Sequence, residues 1–206
     1  MNGKKWRGLF IIAAAAALVL GGAAHAAVIA YDGFEGYSTG SVAGANSGSG
    51  DWNAAWRTYS TTTNQQRVVD FGLSYNSGGI SIDGGSRAVE AIGGTPGTVA
   101  QRDYDTNTAS TVYFRFLIRL TSDTLDDGDF STGFLDYNGP NMGYRDNVNP
   151  GDMFARLSPT VYANSGTLSN DTTYLLIGKL ERSSGTYDDI SFWVNPGAGD
   201  SNSPDA

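Results

Sequence analysis

Glu35, Glu90 and Glu181 are the only glutamates in this chain, and they are the first residues to test for chemistry. Cleaving a glycosidic bond needs two placed carboxyl groups, one giving a proton and one acting as nucleophile or base. None of the three glutamates lies in a run of spaced carboxylates. Aspartates occur as adjacent pairs, Asp126-Asp127 and Asp188-Asp189. Neighbours on a strand point to opposite faces, so such pairs do not converge on one bond. The chain has no cysteine and one histidine, His25. Beyond Ala27 there is therefore no imidazole or thiolate, which removes Ser-His-Asp and Cys-His catalysis and His or Cys zinc sites. No disulfide is possible.

Oxygen chemistry is better supplied. Asp123, Asp126, Asp127 and Asp129 crowd the stretch SDTLDDGD. Calcium favours such turns, although Leu125 stands where an EF-hand loop needs its second oxygen ligand. A calcium loop and a solvated acidic turn are both compatible with this pattern. For ligand binding, Tyr113, Arg115, Arg119 and Trp193 fall on the polar side of their strands and are candidates to line a sugar site. Rings stack on sugars, and arginines suit carboxylate or sulfate groups. The alternative is that Trp193 packs under a loop while the arginines pair with aspartates. Trp52 and Trp56, four apart in DWNAAW, read as clamps on a loop. The Gly-Lys-Leu at Gly178 lacks the glycine and hydroxyl of a phosphate loop.

The elements that carry these residues read as strands. Thr111–Leu120 alternates Val112, Phe114, Phe116, Ile118 and Leu120, expected in the core, with Tyr113, Arg115, Leu117 and Arg119, expected on a wetter face. Tyr174–Glu181 and Asp189–Asn195 form a hairpin through Ser183-Ser184-Gly185-Thr186, with Ile190, Phe192 and Val194 inward and Ser191 and Trp193 on the other face. Weaker strands are expected at Val28–Tyr31, Arg67–Leu73, Arg87–Ala91, Val99–Tyr104, Gly133–Tyr137 and Met153–Leu157. Gly36–Gly50 reads as a long surface loop. There is no helical period, so the chain is an all-β sandwich or jelly roll.

The N-terminus gives the compartment. Lys4, Lys5 and Arg7 precede the apolar run Leu9–Leu20, and Ala24-His25-Ala26 supplies a cut site. This is the layout of a secretory leader spanning residues 1–26, and the run is shorter than a membrane span needs. Residues 27–206 then form one domain. The chain carries a formal charge of −8, and the leader holds three basic and no acidic residues, so the remainder is more acidic still. That disfavours nucleic acid and anionic membranes as partners, and no membrane insertion is expected once the leader is removed.

Three stretches carry a resemblance: Asp32–Trp56 (DGFEGYSTGSVAGANSGSGDWNAAW), TVYFRFLIRL, and Thr172–Pro196 (TTYLLIGKLERSSGTYDDISFWVNP). Together they resemble the concanavalin-A-like, LamG-like jelly rolls of secreted bacterial proteins of the PEP-CTERM type. The resemblance covers nearly all of Val28–Ala206 and implies a two-sheet β-sandwich at the cell surface. Members continue into further strands and a sorting signal, so this sequence is expected to lack its C-terminal strands. Glucanases of that fold carry E-x-D-x-x-E on one strand, which is missing here, and its lyases use histidine. The resemblance also implies a structural calcium beneath the N-terminal strand, with Glu35 at the early acidic position. The expected protein is a secreted, non-catalytic module for surface attachment or for binding an acidic or neutral polysaccharide. The alternatives are a carbohydrate-active enzyme with a diverged site and a purely structural envelope protein.

Overall fold

A computed structural model of the chain describes residues 8–11, 30–50, 52–58, 66–91, 100–103, 109–121, 129–133, 140–145, 152–158 and 161–199. Its strands are β1 (Gly8–Ile11), β2 (Ala30–Tyr31), β3 (Gly40–Ser41), β4 (Ser49–Gly50), β5 (Arg57–Thr58), β6 (Gln66–Val69), β7 (Ser74–Ser77), β8 (Ile80–Asp83) and β9 (Ala88–Ala91), followed by β10 (Ala100–Gln101), β11 (Thr111–Leu120), β12 (Asp129–Gly133), β13 (Asn141–Arg145), β14 (Asp152–Ser158), β15 (Val161–Thr167), β16 (Thr173–Glu181) and β17 (Asp189–Val194). The described residues contain no helix, and therefore none long and apolar enough to cross a membrane. The fold is all-β and antiparallel.

A large sheet runs β17-β16-β11-β1-β9-β6-β3, and a second runs β12-β13-β14-β15. They meet across a core of Phe116, Ile118, Leu120, Leu176 and Phe192 from the large sheet and Met142, Met153 and Ala155 from the smaller one. The alternation of Thr111–Leu120 creates this face, because branched and aromatic residues two apart share one side of a strand. β16 pairs with β11 along nearly its whole length, and β17 pairs with β16. Gly178 sits in the middle of β16, where the Phe114 ring lies over it. A Cβ at Gly178 would come 2.1 Å from Phe114 Cζ.

The other face of the large sheet was expected to be wetter, and the structure corrects this. Leu117 and Leu175 are fully buried there against Leu73, Tyr75, Ile82 and Ala88. The cover includes the β7–β8 hairpin, whose turn residues Gly78 and Gly79 have φ of 59° and 79°. Two left-handed residues make the tight turn that matches strand twist. The sheet is thus packed on both sides around Leu117.

The expected strand ends differ in detail. β12 ends at Gly133, and residues 134–137 of the expected Gly133–Tyr137 strand lie outside the described residues, as do Val28, Ile29, Val99 and Tyr104. The Gly36–Gly50 loop contains the two-residue strands β3 and β4 and buries Tyr37 and Val42. In the β16–β17 turn, Asp188 accepts from the Ser183 backbone N–H at 3.0 Å and from its hydroxyl, while Gly185 has φ of 76°.

Candidate functional site

The register of β11, β16 and β17 decides which candidates meet. Tyr113 lies opposite Lys179, and Lys179 opposite Ser191; in the next row on that face, Arg115 lies opposite Ile177, and Ile177 opposite Trp193. Rows on one face are about 7 Å apart, twice the strand rise. Tyr113, Arg115 and Trp193 therefore share one end of the face, and Lys179 and Ser191 join them. Arg119 lies beyond the covered Leu117–Leu175 row and does not belong to this patch. It clamps Asp171 at 2.9 Å, with its guanidinium 5.1 Å above the Phe71 ring.

Exposure separates the members further. Tyr113 is 53% exposed, whereas Trp193 is 6% exposed. Trp193 is therefore packed, as the alternative reading of it had it, and offers little open stacking surface. Alternation places a residue on a face but does not say what packs against that face. Lys179 donates to Glu181 at 2.6 Å, and this bond raises its pKa above the usual lysine value and keeps it cationic. Burial draws the Arg115 guanidinium below its usual value, opposed by the nearby Tyr31. An arginine stays charged through such a shift.

The glutamates and the loop acids are placed differently. Glu35 Oε1 accepts from the backbone N–H groups of Ser86 at 2.5 Å and Arg87 at 3.0 Å, and Oε2 accepts from the Ser86 hydroxyl at 2.8 Å. The Ser86 hydroxyl bond, more than any other contact, lowers the Glu35 pKa. Both its oxygens thus hold the turn between β8 and β9, which leaves a poor ligand for calcium. Among the described residues no group of three acidic, His or Cys side chains is placed to hold a metal. Asp123, Asp126 and Asp127 lie outside the described residues, and Asp129 is described only as a backbone position of β12 opposite Arg145.

The most elaborate polar cluster is one the sequence reading missed. Asp32 is fully buried. Its Oδ1 accepts the Phe34 N–H at 3.1 Å; its Oδ2 accepts from the Tyr37 hydroxyl, from Trp56 Nε1 at 2.8 Å and from Arg102 Nη1 at 2.6 Å. Arg102 also reaches the Ala54 carbonyl at 2.9 Å and Asn46 Oδ1 at 2.7 Å, and it lies 4.5 Å from the Trp52 ring. Trp52 Nε1 in turn donates to the Tyr31 carbonyl at 3.1 Å, so both tryptophans pin the loop. Phe34 holds a left-handed φ of 62°, offset by its bond to Asp32 and by the Tyr37 and Trp56 rings at 5.7 and 5.9 Å. Burial, then Asp32, pushes the Tyr37 pKa up to about 12. Every acceptor and donor of this cluster has a structural task. Only the DWNAAW spacing hinted at it, because Asp32 and Arg102 are distant in sequence.

On the far side of the smaller sheet, Asn141 lies opposite Arg156 and is fully buried, with neither amide atom hydrogen-bonded. Comparison of the chain with protein-family models, curated proteins and solved structures gave no match in any of the three.

Proposed function

We propose that the chain is a secreted, non-catalytic jelly-roll module of the concanavalin-A-like kind that attaches to surfaces by binding a polysaccharide. The observation that carries this reading is Tyr113, a half-exposed ring in one row with Lys179 and Ser191 and one row from Arg115. A ring offers a sugar a stacking face, and the two cations and the hydroxyl suit an acidic chain. The engagement of all three glutamates supports a role without catalysis. Glu35 is tied to Ser86, Glu90 to Arg67 at 2.6 Å and Glu181 to Lys179. A lowered pKa at Glu35 also runs opposite to what a general acid needs.

Binding of uronate and sulfated polysaccharides to the exported protein, by glycan array and then calorimetry, tests this. Tyr113→Ala is expected to weaken binding several-fold, since a stacked ring contributes on the order of 1 kcal/mol, and to leave the melting temperature unchanged. Equal binding by the variant, or no binding by the parent to any glycan, overturns the proposal.

A further inference from the structure

In the large sheet β9 and β11 do not pair with each other. Each pairs antiparallel with β1, which lies inside the stretch that reads as a leader. Two strand spacings, about 9–10 Å, separate them. Once the leader is removed, two backbone edges face each other across a strand-wide gap in the middle of the sheet. Unpaired edges of that kind are templates for an added strand.

The gap has a chemical pattern that can be read from the register. The position of Phe10 lies between Val89 and Ile118, and that of Gly8 between Ala91 and Leu120. Val89, Ile118 and Leu120 are buried apolar residues, so these two positions call for apolar side chains. The position between them, that of Leu9, lies between Glu90 and Arg119. Glu90 is bonded to Arg67. Arg119 Nη2 is bonded to Asp171, but its Nε is buried without a hydrogen-bond partner. A leucine position between two charges is a poor match, and an acceptor side chain there would lie beside the residue whose Nε lacks a partner.

We infer that the position between β9 and β11 is a strand-accepting slot. In the processed protein it takes an extended peptide of apolar–acceptor–apolar alternation from another polypeptide. This is strand addition, in which ladder hydrogen bonds give affinity and alternate side chains give selectivity. It rests on the reading of a secreted attachment module and gives that module a protein anchor in addition to its glycan patch.

Exported protein, checked by N-terminal sequencing and native mass, is compared with the full chain by hydrogen exchange over Ala88–Ala91 and Thr111–Leu120. The probes are Val-Thr-Val-Thr-Val, Val-Lys-Val-Lys-Val and Val-Thr-Pro-Thr-Val, each on a soluble carrier. Processed protein is expected to be a monomer that exchanges faster than the full chain at both segments. The threonine peptide should bind and slow that exchange several-fold. The proline peptide should not bind, because proline cannot donate to the ladder. Arg119→Gln should erase the preference for threonine over lysine. A retained leader, protection of both segments in the processed monomer, a dimer protected at those segments, or no binding of the threonine peptide each overturns the inference. Glycan binding at Tyr113 is measured separately, so either proposal can fail while the other stands.

Discussion

Replacing Asp32 by alanine removes the acceptor for four donors at once and leaves the Arg102 guanidinium, whose side chain is 3% exposed, without its countercharge. Breaking a buried ion pair from one side costs about 3–5 kcal/mol, because the remaining charge cannot be resolvated. The orphaned Trp56 Nε1 pushes the cost toward the upper end, while the Tyr37 hydroxyl keeps the Ser47 carbonyl at 3.0 Å as its acceptor. For a domain of this size each kcal/mol lowers the melting temperature by about 2–4 °C, so a drop of about 6–20 °C is expected. Urea unfolding of Asp32→Ala should show a lower midpoint with the slope unchanged. Arg102→Met should cost a similar amount. The double variant Asp32→Leu with Arg102→Met should cost clearly less than the sum of the single changes, since no charge is then stranded. It should not be neutral, because the Ala54 carbonyl also loses its donor. A loss below about 1 kcal/mol for Asp32→Ala, or additivity in the double variant, would refute the view that a buried charge pair holds this region.

Other consequences can be checked separately. The Tyr37 pKa is raised in the folded state, so its contribution to stability is complete below the ordinary tyrosine pKa and is lost as pH rises toward about 12; ultraviolet titration should show a late-ionising fraction that Tyr37→Phe removes. The Glu35 pKa is lowered, so its contribution is present above the usual glutamate value and fades as pH falls through the folded one; Ser86→Ala should lower stability modestly at neutral pH, leave it unchanged in acid, and so flatten the acid limb of a stability–pH curve. Gly178→Ala places a methyl group against the Phe114 ring and should cost about 1–3 kcal/mol by overpacking, with part recovered when Phe114→Leu is added. Asn141→Leu removes an unsatisfied buried amide and should be neutral or raise the melting temperature, since leaving such a group unmade costs about 1–3 kcal/mol.

Local pattern was enough where both partners of an interaction lie close in sequence. Thr111–Leu120 is a strand with the expected ends, and the hairpin after it follows from alternation plus a glycine turn. Alternation also assigned Phe116, Ile118 and Phe192 to the core. It failed at Leu117, because a period of two separates faces without revealing a third layer. That layer was itself hard to see, since β7 and β8 offer only Tyr75 and Ile82 as buried hydrophobics. The Gly78-Gly79 pair between them was the available signal. β13 and β15 went unread because Gly143 interrupts one and Asn164-Ser165-Gly166 dilutes the other. The Asp32 cluster was invisible for a different reason: its partners are brought together only by the fold. At the candidate patch, Tyr113 and Arg115 were found from one strand, while Lys179 and Ser191 required the register of three.

Asp32 and Arg102 stand 70 residues apart, and this separation sets an order of events at the ribosome. At about 5–20 residues per second, Arg102 is made about 4–14 s after Asp32. Throughout that interval the N-terminal loop has no countercharge to close on, and its tryptophans remain open to solvent or to any chaperone that follows the nascent chain. The β16–β17 hairpin has no such wait, since Glu181 and Asp189 pair across a short turn. The loop around Asp32 is therefore secured only after a further 70 residues have been made, and a cysteine-free chain accomplishes this with a bond that responds to neither oxidant nor reductant.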